Sequence, residues 1–392
     1  MKPSGDERRG FALVLTLGLL ALLVLAIVAL GALARVNARV AAGSSAQMQA
    51  RQNALLALDV ALGELQRHAG PDGRLTGMAG VAGVPAGAGN ATRHWCGAWN
   101  GDGAWLAWLA SGAGGSSLPV PSGELAIPLV STASVGGDAT DREHVKALRL
   151  PLAGVGYDGA LAPGGRFAYW VGDEGVKLSC ALNDEEAVEQ GKRHALDRQF
   201  GGVPPDSPAL ARLLSYEQMN FANATTTQRQ GGFHSHGLAH RSVVGDSLVA
   251  GRLNVNSTSV RYWVGVGATF ARLDPTAMGG VTAAAFGADA AGVAGRPFRT
   301  VDDFLAALAP RLSARGLDPT ALAVTMRAWL CVRSDTFRVR AYGEAPAAGD
   351  AEAAGAVAWC EAIVQRTPAL GPDGLGRRFV VRSFRWLGRD EL

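Results

Sequence analysis

The first long apolar run starts at Phe11 and continues to Ala34 without a charge, with Thr16 its one weakly polar member. At 1.5 Å of helical rise per residue the run spans about 36 Å, more than the ~30 Å hydrocarbon core of a bilayer. It is too long for the apolar stretch of an ordinary signal peptide, and no small-x-small cleavage site follows it closely. The pattern therefore predicts a membrane-spanning helix over 11–34. Arg8 and Arg9 stand before it and Arg35 and Arg39 after it, so flanking charge leaves the orientation open. Helical sequence runs on over 35–69, with no proline and with glycine only at Gly43 and Gly63. Leu55, Leu58, Leu62 and Leu65 recur at three- and four-residue spacing, which predicts a packing stripe. Gly70-Pro71 ends the pattern by removing a side chain and a backbone donor. The expected product is one helix, apolar all round below and amphipathic above.

The remaining pattern divides into three stretches. Residues 70–165 are rich in Gly and Ala and carry a cluster of indoles at Trp95, Trp99, Trp105 and Trp108, read as pins of a loop-rich subdomain or as a surface for stacking a ligand. Residues 166–330 mix strand and helix signals. Phe167, Tyr169 and Val171 alternate as in a strand, and Asn183 with Glu186 forms a capping box. Ser207-Pro208 predicts a helix towards Phe221. Thr300 with Asp303 opens another that buries Val301, Phe304, Leu305 and Leu308, and Asp318-Pro319 one running to about Leu330. The stretch between Gly265 and Gly295 reads as a long loop with at most a short helix. Residues 331–392 predict three antiparallel strands. Phe337, Val339 and Ala341 alternate with Arg338, Arg340 and Tyr342. A loop over Pro346–Gly355 leads to a run from Ala356 to Gln365, and Gly371-Pro372-Asp373-Gly374 turns into a run from Phe379 to Leu387. The fold class expected is α+β, with a long helical spine, an antiparallel sheet across its upper half, and extra helices.

Composition narrows the function classes. Over 392 residues, 37 Lys and Arg stand against 34 Asp and Glu, and 48% of residues are apolar. A net charge of +3 over that length gives no basic footprint for nucleic acid.

The string Arg8-Arg9-Gly10-Phe11-Ala12-Leu13-Val14-Leu15 resembles the class III leader of type IV pilins and pseudopilins. The resemblance implies a leader over 1–10, cleavage by a prepilin peptidase between Gly10 and Phe11, and N-methylation of Phe11. It implies an inner-membrane protein with a periplasmic globular region, a pilin-like fold, and other pilins or pseudopilins as partners through the N-terminal helix, where Gly18 and Gly31 allow close approach in lipid. Most members carry Glu at the fifth mature position. Here that position is Leu15, which is similar to the PilX-type minor pilins and the large pseudopilin K of type II secretion and implies a tip or early place in the filament. Tyr169-Trp170-Val171-Gly172-Asp173-Glu174-Gly175-Val176-Lys177 resembles the strand and acidic turn that open the globular part of those proteins. Gly251-Arg252-Leu253-Asn254-Val255-Asn256-Ser257 is similar to their N-x-N segment, which here lies about eighty residues further along than is usual.

Candidate chemistry is sparse. No nucleophile elbow, Walker loop or H-E-x-x-H is present, so no catalytic residue and no cofactor is expected. Gly245-Asp246-Ser247-Leu248 spells the hydrolase tetrapeptide, yet no histidine follows His240 to serve as base. His234, His236 and His240 form an H-x-H-x3-H cluster, read as solvated loop histidines or as metal ligands. On the second reading the chain is a membrane-anchored periplasmic metal-binding protein or enzyme. Four cysteines permit two disulfides in an oxidising compartment. Cys331 with Cys360, which flank the first C-terminal strand, is the favoured pair, and Cys96 with Cys180 follows; four free thiols are the alternative.

Overall fold

The computed structural model describes residues 5–82, 94–113, 125–131, 144–155, 161–176, 178–179, 236–237, 241–250, 252–273, 275–347, 350–372 and 374–392. It is a mixed α+β fold of one long N-terminal helix and antiparallel sheets, with a separate helical lobe.

Helix α1 runs Gly5–Ala69, 65 residues, or about 97 Å. From Leu13 to Ser45 every residue is exposed. Above that the helix lies on a sheet. The buried face is made of Ala50, Ala54, Ala57, Leu58, Ala61, Leu65 and Ala69, at the helical spacing of three and four. The leucine stripe expected from the sequence is corrected accordingly: Leu58 and Leu65 are buried, Leu62 is half-buried, and Leu55 remains 39% exposed. The reason lies in the sheet. A Cβ at Gly343 would stand 2.2 Å from the Ala54 nitrogen and 2.3 Å from the Ala50 oxygen, so the two backbones meet closely and only alanine fits between them. Between the apolar run and this contact, Val36, Asn37, Val40, Gly43, Ser44 and Ser45 have no packing support. Together they are ~3–4 kcal/mol poorer helix formers than alanine.

The helix ends where Gly70-Pro71 predicts. The carbonyl just beyond its end, that of Gly70, is met by the far end of the chain: Arg366 donates to it from Nε at 2.9 Å and from Nη2 at 2.6 Å, and the Arg377 backbone amide donates to it at 2.9 Å. Positive charge at a helix C-terminus opposes the negative end of the macrodipole.

Strands β1 (Leu75–Met78), β2 (Cys96–Trp99) and β3 (Trp105–Trp108) form an antiparallel sheet, and β4 (Ala126–Val130) pairs with β5 (Val145–Leu148). β6 (Leu150–Val155) and β7 (Leu161–Asp173) begin the main sheet; β7 contains the predicted alternating run. β8 (Leu178–Ser179) pairs in parallel with β9 (His236–Gly237), and β10 (Arg241–Val244) and β11 (Ser247–Ala250) form a hairpin. β12 (Leu253–Asn254) leads into four helices, α2 (Val260–Leu273), α3 (Ala283–Ala291), α4 (Val301–Ala314) and α5 (Pro319–Arg327). β13 (Leu330–Cys331) then pairs in parallel with β12. β14 (Thr336–Ala347), β15 (Asp350–Leu370) and β16 (Arg377–Leu387) complete the five-stranded sheet, in the order β16-β15-β14-β7-β6.

Three expectations change here. The Gly/Ala stretch between Gly265 and Gly295 forms α2 and α3, because its glycines serve helix contact: a Cβ at Gly287 would lie 2.6 Å from the Val264 nitrogen. The helix opened by Asp318-Pro319 stops at Arg327, and Leu330 enters a strand. The loop expected over Pro346–Gly355 is largely strand, since the β14–β15 hairpin extends to the pair Ala347 and Asp350. The Thr300–Asp303 capping box is formed. The predicted helix starts at Asn183 and Ser207 lie outside the described residues.

Candidate functional site

One surface and one buried junction carry most of the residues singled out in the sequence. The surface is the lower half of α1. Its apolar side chains are bare, from Leu13 at 66% exposed to Leu33 at 57%. Among the described residues, α1 is the one helix long and apolar enough to cross a membrane, with a mean hydropathy of 3.1 over its most apolar window. Gly18 and Gly31 have nothing within 4 Å of where a Cβ would stand, so both are open to close approach from outside the chain. Gly10 and Phe11 lie in the helical backbone.

The junction brings together the acidic turn and the N-x-N segment, far apart in sequence. The Asn254 amide nitrogen (Nδ2) donates to the Thr76 carbonyl and hydroxyl, both at 3.0 Å, to the Ser334 hydroxyl at 3.0 Å, and to the Asp173 carboxylate at 3.5 Å. The Asn254 backbone amide donates to the Gly175 carbonyl at 2.9 Å. Asn256 holds the helical lobe from the other side: its Oδ1 accepts from the Phe298 amide at 2.7 Å, and its Nδ2 donates to the Val332 carbonyl at 3.2 Å. Asn254 and Asn256 are fully buried. A half-made polar network at such a place would cost more than an apolar one, so these side chains act as a keystone joining the sheet, the Trp subdomain and the helical lobe. The expected separation of the two segments is thus spanned by chain folding.

The outer face of the main sheet is a buried ionic layer that sequence reading missed. From Thr336 to Ala345 every residue of β14 is buried, on both faces. Glu361 of β15 accepts from Arg340 Nε at 2.8 Å and pairs with Arg385 at 3.0 Å and Arg338 at 3.6 Å. Arg338 also meets Glu174 at 3.1 Å. Burial by itself would push the Glu361 carboxyl up; the guanidinium groups of Arg338, Arg340 and Arg385 overcome this and hold it well below the usual carboxylate range. Burial lowers the Arg340 guanidinium, against the attraction of Glu361. The sequence signal for this layer is weak: an Arg-x-Arg alternation reads the same whether its polar face is wet or covered.

The indoles form core. Trp95, Trp99 and Trp108 are buried, Trp99 and Trp108 meet edge to face at 5.7 Å, and the Trp95 Nε1 donates to the Lys146 carbonyl at 3.1 Å. These three have no face left for a ligand, and the half-buried Trp105 leans on the Trp108 ring at 6.3 Å, so the structure favours the indoles as pins of the subdomain. The preferred Cys331–Cys360 disulfide is also corrected. Cys331 sits in β13 against Asn254, while Cys360 is in the middle of β15 beneath α1. Both are free thiols, as is Cys96; Cys180, the partner expected for Cys96, lies outside the described residues. Burial pushes the Cys331 and Cys360 thiols up to about 12, with Asp335 and Glu361 respectively adding to it, and such thiols are inert. His234 and His240 lie outside the described residues, and His236 opens β9. Among the described residues no group of three or more His, Cys, Asp and Glu is placed to hold a metal ion. Gly245-Asp246 is the tip of the β10–β11 hairpin, with Gly245 at φ +58°, a turn unlike a strand-to-helix nucleophile elbow.

The chain matches no protein-family model, and no curated protein or solved structure is significantly similar to it.

Proposed function

We propose that the chain is a large minor pilin or pseudopilin, a non-enzymatic subunit that helps assemble or cap a type IV pilus or a type II secretion pseudopilus. The observation that carries this reading is the division of α1. One continuous helix is bare and apolar over its lower half and clamped to a sheet over its upper half. A plain anchor has no need of an unbroken helix from span to domain. A subunit that is stored in a bilayer and then drawn into a helical bundle does, because its span must move with its domain.

On this reading a prepilin peptidase cuts between Gly10 and Phe11 and Phe11 becomes the methylated N-terminus. The protein resides in the inner membrane with its globular region in the periplasm, and 11–34 exchange lipid for neighbouring pilin helices. Leu15 offers no carboxylate to the terminal amine of a subunit above it, which suits a tip or early position. Gly18 and Gly31 let helices approach. Its work is assembly, with no bond made or broken by its own side chains.

The test is Gly10→Val expressed in the native host. The variant is expected to stay full-length in the inner membrane and to be absent from sheared filaments or pseudopili. Unaltered incorporation would refute the reading.

A further inference from the structure

The main sheet is wider than the helix that covers it. Trp386, Phe384 and Val381 of β16 stand opposite Cys360, Ala362 and Val364 of β15, and those three belong to the core beneath α1. Opposed residues of an antiparallel pair share a face. The three β16 side chains therefore continue the helix-facing side of the sheet past the edge of α1, where they are 36%, 42% and 44% exposed. Phe384 and Trp386 meet edge to face at 5.4 Å.

One flank of α1 overlooks this ledge. Gln66 accepts from the Phe379 amide at 3.1 Å and donates to the Arg377 carbonyl at 2.9 Å, and Arg51 lies over the Trp386 ring at 5.3 Å. Residues 51, 55, 62 and 66 fall on one flank by helical periodicity, which puts Leu55 and Leu62 between those two contacts. The result is an apolar trough, walled by Leu55 and Leu62 on one side and by Val381, Phe384 and Trp386 on the other.

Charge names the occupant. Arg51 on the helix flank and Arg382 at the bulge of β16 are exposed, against one exposed carboxylate at Asp59, and neither arginine makes an ion pair with a described residue. The β16 edge is unsuited to an added strand. Its register shifts between Ile363 and Val364, leaving Arg382 as an extra residue without a partner on β15, and a bulged, charged edge resists pairing. Leu55 and Leu62 stand two helical turns apart, the repeat that a second helix lying alongside would meet.

We propose that this trough docks an amphipathic helix of a neighbouring subunit, one with carboxylates beside its apolar ridge. The proposal rests on the assembly reading above and names the surface by which the adjacent subunit is held.

The experiment uses the full-length protein in native membranes, with the photoreactive residue p-benzoylphenylalanine at position 384, and at position 370 as a control on the 79%-exposed Leu370. Position 384 is expected to cross-link to a helical peptide of another membrane subunit, with Asp or Glu flanking its apolar positions. Arg51→Glu with Arg382→Glu should cut that yield by about tenfold, the scale of reversed charge at an interface rim, and leave the position-370 control unchanged. Links only to lipid, to a second copy of this chain or to a peptide without flanking acids, or a yield indifferent to charge reversal, would overturn the proposal. N-terminal analysis of the same sample separates the two readings. A chain starting at Phe11 without the cross-link removes the trough alone, and the cross-link on an unprocessed chain removes the pilin reading while leaving the helix-docking surface.

Discussion

Gly343→Val is expected to lift α1 from the sheet and to destabilise the globular region by about 3–5 kcal/mol, at the upper end of single-residue effects. The reason is geometric. Even a methyl group at 343 would lie 2.2 Å from the Ala54 nitrogen and 2.3 Å from the Ala50 oxygen, and both are helix backbone that no rotamer change can move. The helix has to shift bodily, which opens gaps around Leu58 and Leu65 as well. The Tm of the detergent-solubilised protein should fall by roughly 4–7 °C on the usual relation of Tm to stability. A variant within a degree or two of wild type would show that the contact is looser than the structure has it. On the proposed reading, the same variant should also assemble poorly even where it folds.

The second large effect is expected at Glu361. Removing it as Glu361→Ala leaves Arg338, Arg340 and Arg385 facing one another in a buried layer, and stripping one partner from a buried ion cluster costs about 3–5 kcal/mol. The pH dependence has a definite sign. The folded carboxyl titrates well below the usual carboxylate range, so its contribution is complete above the unfolded value of about 4.3 and is lost only as pH falls towards the folded one. The stability gap between wild type and Glu361→Gln should therefore stay level from pH 8 to pH 5 and narrow only on strong acidification. Chemical denaturation at several pH values reads this directly. A gap that closes near pH 6 would mean that Glu361 is not held by its arginines.

What the sequence could and could not convey follows from the range of the interactions. Signals that act within a few residues were readable: the apolar run, the stop at Gly70-Pro71, the Thr300–Asp303 box, and the alternation of Phe337, Val339 and Ala341. The identity of the buried stripe on α1 was not, because it depends on Gly343, nearly three hundred residues away, which brings the backbones too close for leucine. The keystone was half legible. Asp173 and Asn254 each sat in a recognisable segment, but nothing local indicated that Thr76 and Ser334 would close the network between them. The Arg338–Arg340–Glu361 layer was hidden for a different reason: a polar alternate face predicts solvent unless a second layer covers it, and the Arg340 Nη1 donates here to the Leu129 carbonyl of β4 at 2.9 Å. The disulfide expectation failed on the same ground, since proximity to a strand in sequence does not set which face or which sheet a cysteine joins.

If the chain is a processed pilin-like subunit, the N-terminus of the protein extracted from its native membrane carries the mark of that processing. Intact mass with N-terminal peptide sequencing is predicted to find a chain that begins at N-methylated Phe11. A chain that still carries Met1 to Gly10, or one cut elsewhere, would contradict the account and leave a plain membrane anchor beneath the same α+β domain.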